Sequence, residues 1–422
     1  MTAAAADGGA GAVSRPLAGM VALLAVVFHL FCLFPYLAPL PLPTDTQPYA
    51  LMAAGAALLL LGRRAAMPAA ILALLLPVAI AFLLLPADAG NFTAWRSAVA
   101  YLSLFVVAAA TVLLARGGHA LSDRLLAAAV YVWFAVGLVQ AAADRRFFTG
   151  LVSEARTTLD RGVTALATEP SHYATVASFL LLLLFMRGRE RSLAGFLCLV
   201  QIVFLAQSAQ VALLLAVAVA VYGIVMARPA FFLAGLLAPL ALLAAWSLGI
   251  ALQAGGVRIL ELLMLLMDDP ALLVLADPSG NQRLAAIFFA FKGFLDHAFL
   301  PGGLADFGAY MGEQIRGGAW PLFFTDPTER ILSGYGAALY ELGLFGLTVP
   351  LVAGLGLFRY FRGSARHALV ASALLHPLML TAVPLALPLV GLTIGLCYGP
   401  RRYRGRDEAP EEPGAARVPA PL

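Results

Sequence analysis

Met67–Pro86 reads MPAAILALLLPVAIAFLLLP, with no charged side chain and with Arg63-Arg64 before it and Asp88 after it. A helix of about 20 residues rises roughly 30 Å, the thickness of a bilayer's hydrocarbon core. Lipid leaves backbone groups no partner but one another, so such a stretch reads as a membrane-spanning helix. The same pattern recurs on both sides of it. Expected spans are 17–38, 47–62, 67–86, 95–115, 120–142, 171–187, 192–208, 210–227, 230–253, 333–358, 365–380 and 382–399. Together they make an all-α polytopic membrane protein of about 12 transmembrane helices. Composition agrees, with 62% hydrophobic and 12% charged residues and a mean hydropathy of +0.91. That balance excludes a water-soluble globular chain.

The leader 1–16 is rich in Ala and Gly, carries Asp7 and reads as disordered. It lacks a basic n-region and the apolar run after it is too long for a cleaved signal peptide. The tail 400–422 reads as disordered too. Cys32, Cys198 and Cys397 all fall inside apolar spans, at no spacing suited to a disulfide framework or a metal.

Arginines mark alternate connections: Arg63-Arg64, Arg187/Arg189/Arg191, Arg228, Arg359/Arg362/Arg366 and Arg401/Arg402/Arg404/Arg406. Basic residues concentrate in cytoplasmic loops, which places both termini in the cytoplasm. The cytoplasmic side then holds 17 Arg against 7 Asp/Glu, and the outer side 10 Arg/Lys against 16 Asp/Glu. The basic pI of about 9.1 thus reflects topology and contact with anionic membrane lipids, not a nucleic-acid partner. Short inner loops without a phosphate-cradling Gly motif leave no room for a nucleotide domain.

Two outer loops are long, 143–170 and 254–332, and long loops of ordinary composition usually carry function. They hold Arg145, Arg146, Arg156 and Arg161 in the first, and Arg258, Arg283, Lys292, Arg316 and Arg330 in the second. Arg96 is the one outer basic residue elsewhere. Guanidinium groups fit phosphate bidentately, so such a cluster suits a diphosphate. Headgroup contact and pairing with Asp144, Glu154 and Asp160 is the plainer alternative.

Within the second loop, Arg258, Glu261 and Asp268 share one stripe of an expected amphipathic helix. Ser279-Gly280-Asn281-Gln282 resembles a capping box opening a further helix, which Pro301-Gly302-Gly303 would break. Lys292 and Asp296 stand one turn apart on it, as a site or as a plain ion pair. In the first loop, Thr168-Glu169-Pro170-Ser171-His172 marks re-entry into the membrane: either a cap with a wet histidine, or a carboxylate kept ionised at a helix start, able to take a proton from a hydroxyl. His297, beside Asp296, is another candidate base. His29, His119, His367 and His376 read as packing or interface residues.

The run Arg161-Gly162 through Glu169-Pro170-Ser171-His172 resembles the Arg-Gly and Glu-Pro-Ser-[His/Tyr] signature of bacterial polysaccharide polymerases of the Wzy type. Two further segments resemble that family: Arg283 through His297 to Gly302-Gly303, with Ala298 standing where the family has proline, and Ser333-Gly334-Tyr335 through Leu339-Tyr340-Glu341-Leu342-Gly343 to Gly346. O-antigen ligases, the sister family, carry a His at the start of that last helix, where this chain has Ser333-Gly334-Tyr335.

The resemblance implies a GT-C-like helical fold with a long periplasmic loop between helices 9 and 10, in the bacterial inner (cytoplasmic) membrane. It implies a glycosyltransferase with no metal or other cofactor, acting on undecaprenyl-diphosphate-linked oligosaccharides as donor and acceptor. A chain-length regulator and a flippase are the protein partners it suggests. Expected roles are diphosphate or glycan contact for Arg161 and Arg283, then Arg156, Lys292, Arg330 and Tyr335, with Glu169 as base and His172 and His297 behind it. The rival expectations are an O-antigen ligase-type transferase and a lipid-linked oligosaccharide flippase. Charge gathered at the outer surface and the lack of an internal repeat weigh against transport.

Overall fold

The computed structural model describes residues 15–39, 47–62, 66–153, 155–157, 162–226, 278–318, 320–381 and 383–400. Among them helices are the sole regular elements, apart from one isolated antiparallel bridge between Leu37 and Val152. In chain order they are α1 (Arg15–Leu33), α2 (Tyr49–Leu61), α3 (Ala69–Ala73), α4 (Leu75–Leu84), α5 (Phe92–Arg116), α6 (Asp123–Ala142), α7 (Pro170–Met186), α8 (Leu193–Val200) and α9 (Ala209–Met226). After an undescribed stretch come α10 (Pro278–Asp296), α11 (Phe307–Arg316), α12 (Gly334–Leu342), α13 (Thr348–Tyr360), α14 (Ala365–Thr381) and α15 (Pro388–Tyr398).

Four helical runs are long and apolar enough to cross a membrane: Ala69–Asp88, Phe92–Arg116, Asp123–Ala142 and Gly334–Tyr360. Shorter apolar helices fill most of the other expected spans. Leu23, Leu59, Leu83, Leu213, Ile224 and Leu355 point outward. In water such a girdle of exposed aliphatics would drive aggregation; in lipid it costs nothing. The chain is a helical, membrane-embedded protein. The expected span 230–253, the amphipathic helix around Arg258, the leader up to residue 14 and the tail from residue 401 lie outside the described residues, while Arg15 and Pro16, expected in the leader, open α1.

Local chemistry explains where helices depart from the expected spans. The 67–86 run breaks between α3 and α4 because Pro77 has no N–H for the carbonyl of Ala73 four residues back. Pro35 stops α1 short of residue 38. Asn91 lengthens α5 at its start, accepting the Thr93 N–H at 2.8 Å. α8 widens into a π turn over Gln201–Leu205 before Gln207, at φ 50°, ends it. α15 begins at Pro388, well after the expected 382.

α5 is the hub, buried along most of its length. α15 packs on it where Gly391 lies against Val107, letting the two backbones approach closely. Charges separate to the two ends of the bundle. At one end Arg187 and Arg189 both pair with Asp123, and the Tyr360 hydroxyl donates to the Met186 carbonyl at 2.9 Å. At the other lie Glu169, Arg283 and Gln210.

The described part of the second long loop is folded. α10, α11 and the loop ahead of α12 enclose a small core of Phe289, Phe307, Met311, Ile331 and Tyr340. α10 is helical from Pro278, so Ser279 through Gln282, expected to open the helix, lie inside it, Asn281 among them. The buried Asn281 amide donates to the Leu322 carbonyl at 2.7 Å and so holds the 320s loop. The helix also ends ahead of Pro301, at Asp296, where Ala298 and Phe299 turn left-handed with φ of 52° and 68°.

Candidate functional site

Glu169 occupies the N-cap position of α7, yet its side chain caps nothing. The carboxylate turns aside instead. One oxygen, Oε1, accepts from the Ser171 hydroxyl at 2.8 Å and from Arg283 Nη2 at 3.1 Å, and lies 3.3 Å from His172 Nε2. Arg283, in the first turns of α10, also donates to Ser171 Oγ at 3.0 Å and to Gln210 Oε1 at 2.8 Å. The Gln210 amide in turn donates to the Thr381 carbonyl at 3.0 Å, so α7, α9, α10 and α14 meet at one guanidinium.

His172 is fixed from two further directions. Its Nδ1 lies 2.6 Å from the Thr168 hydroxyl, and its ring stacks on Tyr36, 5.4 Å between centroids and 8° from parallel. It is not a wet histidine, because that aromatic lid leaves the side chain 17% exposed. The loop leading to Glu169 is equally constrained. Gln140, buried in α6, accepts from the Ala165 N–H at 2.7 Å and donates to the Ala165 carbonyl at 2.9 Å, clamping a residue at φ 48°. The Val163 N–H donates to the Leu205 carbonyl at 2.8 Å. A Cβ on Gly162 would sit 2.1 Å from the Ala206 carbonyl oxygen, which is why glycine stands there.

Burial alone would raise the Glu169 carboxyl, but His172, Arg283, the Ser171 hydroxyl and Arg156 together hold it below the usual carboxylate range. A native pKa lowered below the unfolded value of about 4.3 contributes stability that is fully present above that pH and fades as acid protonates the folded form. The melting-temperature gap between the native protein and Glu169→Gln, measured in detergent, is therefore expected to stay constant above about pH 5 and narrow on acidification. A gap that widened with acid would mean that the carboxyl is not held ionised.

The other expected residues distribute unevenly. Arg156 is exposed and acts electrostatically on Glu169, while its backbone N–H donates to the Thr168 carbonyl at 2.7 Å. Arg330 is half-buried, and burial disfavours its charged form. Arg161 lies outside the described residues. Lys292 and His297 belong elsewhere. Lys292 pairs with Asp296 on the exposed side of α10, the plain i,i+4 pair, and the Tyr310 hydroxyl donates to the same carboxylate at 2.6 Å. His297 packs against the Tyr310 and Tyr340 rings, at centroid distances of 5.6 and 5.4 Å. Tyr335 is buried and its hydroxyl lies 2.7 Å from His376 Nδ1.

No protein-family model and no curated protein matches this sequence. What the chain does therefore rests on its own geometry. Sequence reasoning missed Tyr36, Gln140 and Gln210. Only Gln210 left a trace there, as part of the polar break Gln207-Ser208-Ala209-Gln210 between two apolar spans. Tyr36 and Gln140 sit at the ends of apolar runs, where nothing local separates a functional side chain from an interfacial one.

Proposed function

We propose that this chain is a glycosyltransferase of the bacterial inner membrane that moves a glycan from a polyprenyl diphosphate to the hydroxyl of another lipid-linked oligosaccharide, as the resemblance to Wzy-type polymerases implies. The observation that carries this reading is the meeting of Glu169, Ser171 and His172 with Arg283, 114 residues apart between Arg283 and Glu169. Those are the landmark residues of two separate segments of the resemblance, and they share one hydrogen-bonded cluster.

The cluster has a chemical logic. A carboxylate in an ion pair is a weak base, because its charge is already compensated. A diphosphate is a stronger bidentate partner for a guanidinium than one carboxylate oxygen is. Donor arriving at Arg283 would draw it from Glu169 and free that carboxylate to take the acceptor hydroxyl's proton. Arg283, with Arg156 at hand, would then stabilise the charge that grows on the leaving diphosphate. Glu169 is the base in this reading, His172 orients it and Arg283 is the diphosphate ligand; about 12 spans and a GT-C-like arrangement belong to the same proposal.

Gel analysis of glycans made in cells tests it. Glu169→Gln, in protein inserted at normal levels, should leave single repeat units with no ladder of longer chains, a loss of at least about 100-fold for removal of a general base. An unchanged ladder would end the assignment. Polymer accumulating unshortened on its lipid carrier in a knockout would instead indicate the ligase reaction.

A further inference from the structure

A cavity of about 70 Å³ opens between α5, the start of α12 and the turn ahead of α15. Its polar lining is Arg96, Ser97, Tyr101, Glu329, Arg330 and Glu341. Glu341 is 7% exposed and sits in a helix among apolar neighbours, a costly position for a carboxyl group. Both of its oxygens face hydroxyls: Ser97 donates to one at 2.9 Å and Tyr101 to the other at 2.7 Å. Glu329 accepts from the Thr93 hydroxyl at 3.0 Å. Arg330, in the lining, is also within electrostatic range of Tyr36, whose ring covers His172.

The lining is mixed in a particular way. Two carboxyls and two guanidiniums line it together, so neither an anion nor a cation meets a wall of purely opposite character. A phosphate would meet Glu341 and Glu329, and a metal ion would meet Arg96 and Arg330. Hydroxyl groups are indifferent to this conflict, because they donate to carboxylates and accept from guanidiniums in turn. The remaining walls, Ile331 and Leu385 among them, are aliphatic. Polar groups on the rim and aliphatic walls between them match a sugar ring, with hydroxyls at its edge and C–H bonds on its faces. The volume suits one edge of one ring, on the scale of a few waters, at roughly 10–15 Å³ for each.

We propose that the Glu341 cavity is a sugar subsite that takes one edge of an uncharged, hydroxyl-bearing ring, the terminal ring of the acceptor glycan. The word acceptor rests on the glycosyltransferase reading; sugar binding does not. Glu341, Ser97, Arg96 and Arg330 read the hydroxyls.

The test uses the full-length protein in detergent with Ala386→Cys at the cavity rim as reporter; the native cysteines, Cys32, Cys198 and Cys397, are all buried. Its rate of modification by a water-soluble maleimide is measured with a panel of neutral methyl glycosides and with inorganic pyrophosphate. At least one glycoside should slow labelling severalfold, pyrophosphate should not, and adding Glu341→Gln or the milder Ser97→Ala should abolish the protection. Protection by pyrophosphate alone, or by no glycoside, overturns the subsite. Glycoside protection in a protein that forms no polymer leaves the subsite standing while the proposed reaction falls. A normal polymer ladder from Glu341→Gln, together with a reporter cysteine that no glycoside protects when Glu341 is intact, sinks the subsite and leaves the reaction.

Discussion

Replacing Arg283 with alanine is expected to destabilise the protein more than replacing its partner Glu169 with glutamine. Removing the guanidinium leaves the Glu169 carboxylate, one-fifth exposed, with the Ser171 hydroxyl and His172 in place of a cation. Stripping one partner from a fully buried ion pair costs about 3–5 kcal/mol, and partial solvent access here reduces that to about 1–3 kcal/mol. Glu169→Gln is gentler. Arg283 keeps its bonds to Gln210 and Ser171, so about 1 kcal/mol is lost. The pair Arg283→Ala with Glu169→Gln should recover part of the loss, with a coupling of about 1–2 kcal/mol read from denaturant midpoints in detergent. Strictly additive losses would show that the two helices are held together by something other than this pair. Both single variants should lose polymer formation, the arginine variant through both its affinity for the diphosphate and its rate, the glutamine variant through its rate alone.

The membrane character of the chain was legible because lipid imposes one rule on every residue of a span, and Met67–Pro86 obeys it throughout. Helix ends were less so, since they are decided by single residues: Pro77 breaks a run that hydropathy treats as continuous. Within the site, the segment around Glu169 and the residue Arg283 stood out because charges are scarce in this chain and conspicuous against it. Their meeting did not, because contact across 114 residues is a property of packing. Lys292 and His297 stood out on the same grounds but lie on another face of α10 and in the turn after it, paired with Asp296 or packed on tyrosines. Charge scarcity finds candidates, and helical phase decides which of them share a cavity. Glu341 shows the converse: it appeared as one letter of a resembling helix, and only folding set Ser97 and Tyr101 against it.

Gly343→Ala is expected to do more damage than any single change to the charged residues. Gly343 ends α12 at φ 60° and ψ −139°, a conformation essentially restricted to glycine, so a side chain there costs about 1–3 kcal/mol in backbone strain alone. Space adds to it. A Cβ would lie 2.3 Å from the Phe299 carbonyl oxygen and 2.7 Å from the Leu300 carbonyl carbon, both backbone atoms that cannot rotate away. Those atoms belong to the turn after α10, which is tied to α12 by the Gly302 N–H to the Tyr340 carbonyl at 2.8 Å and the Leu344 N–H to the Phe299 carbonyl at 3.0 Å. The substitution would push that turn off α12 and carry Glu341, two residues before Gly343, with it. Gly55→Ala is the matched control, since a Cβ inside α2 meets nothing within 4 Å and alanine favours a helix by about 0.5–1 kcal/mol. Limited proteolysis and gel filtration in detergent should show Gly343→Ala cleaved in the second long loop or aggregated, and Gly55→Ala intact. An intact, monodisperse Gly343→Ala protein would mean that α10 and α12 are not locked together at this turn, and the position of Glu341 in its cavity would lose its mechanical basis.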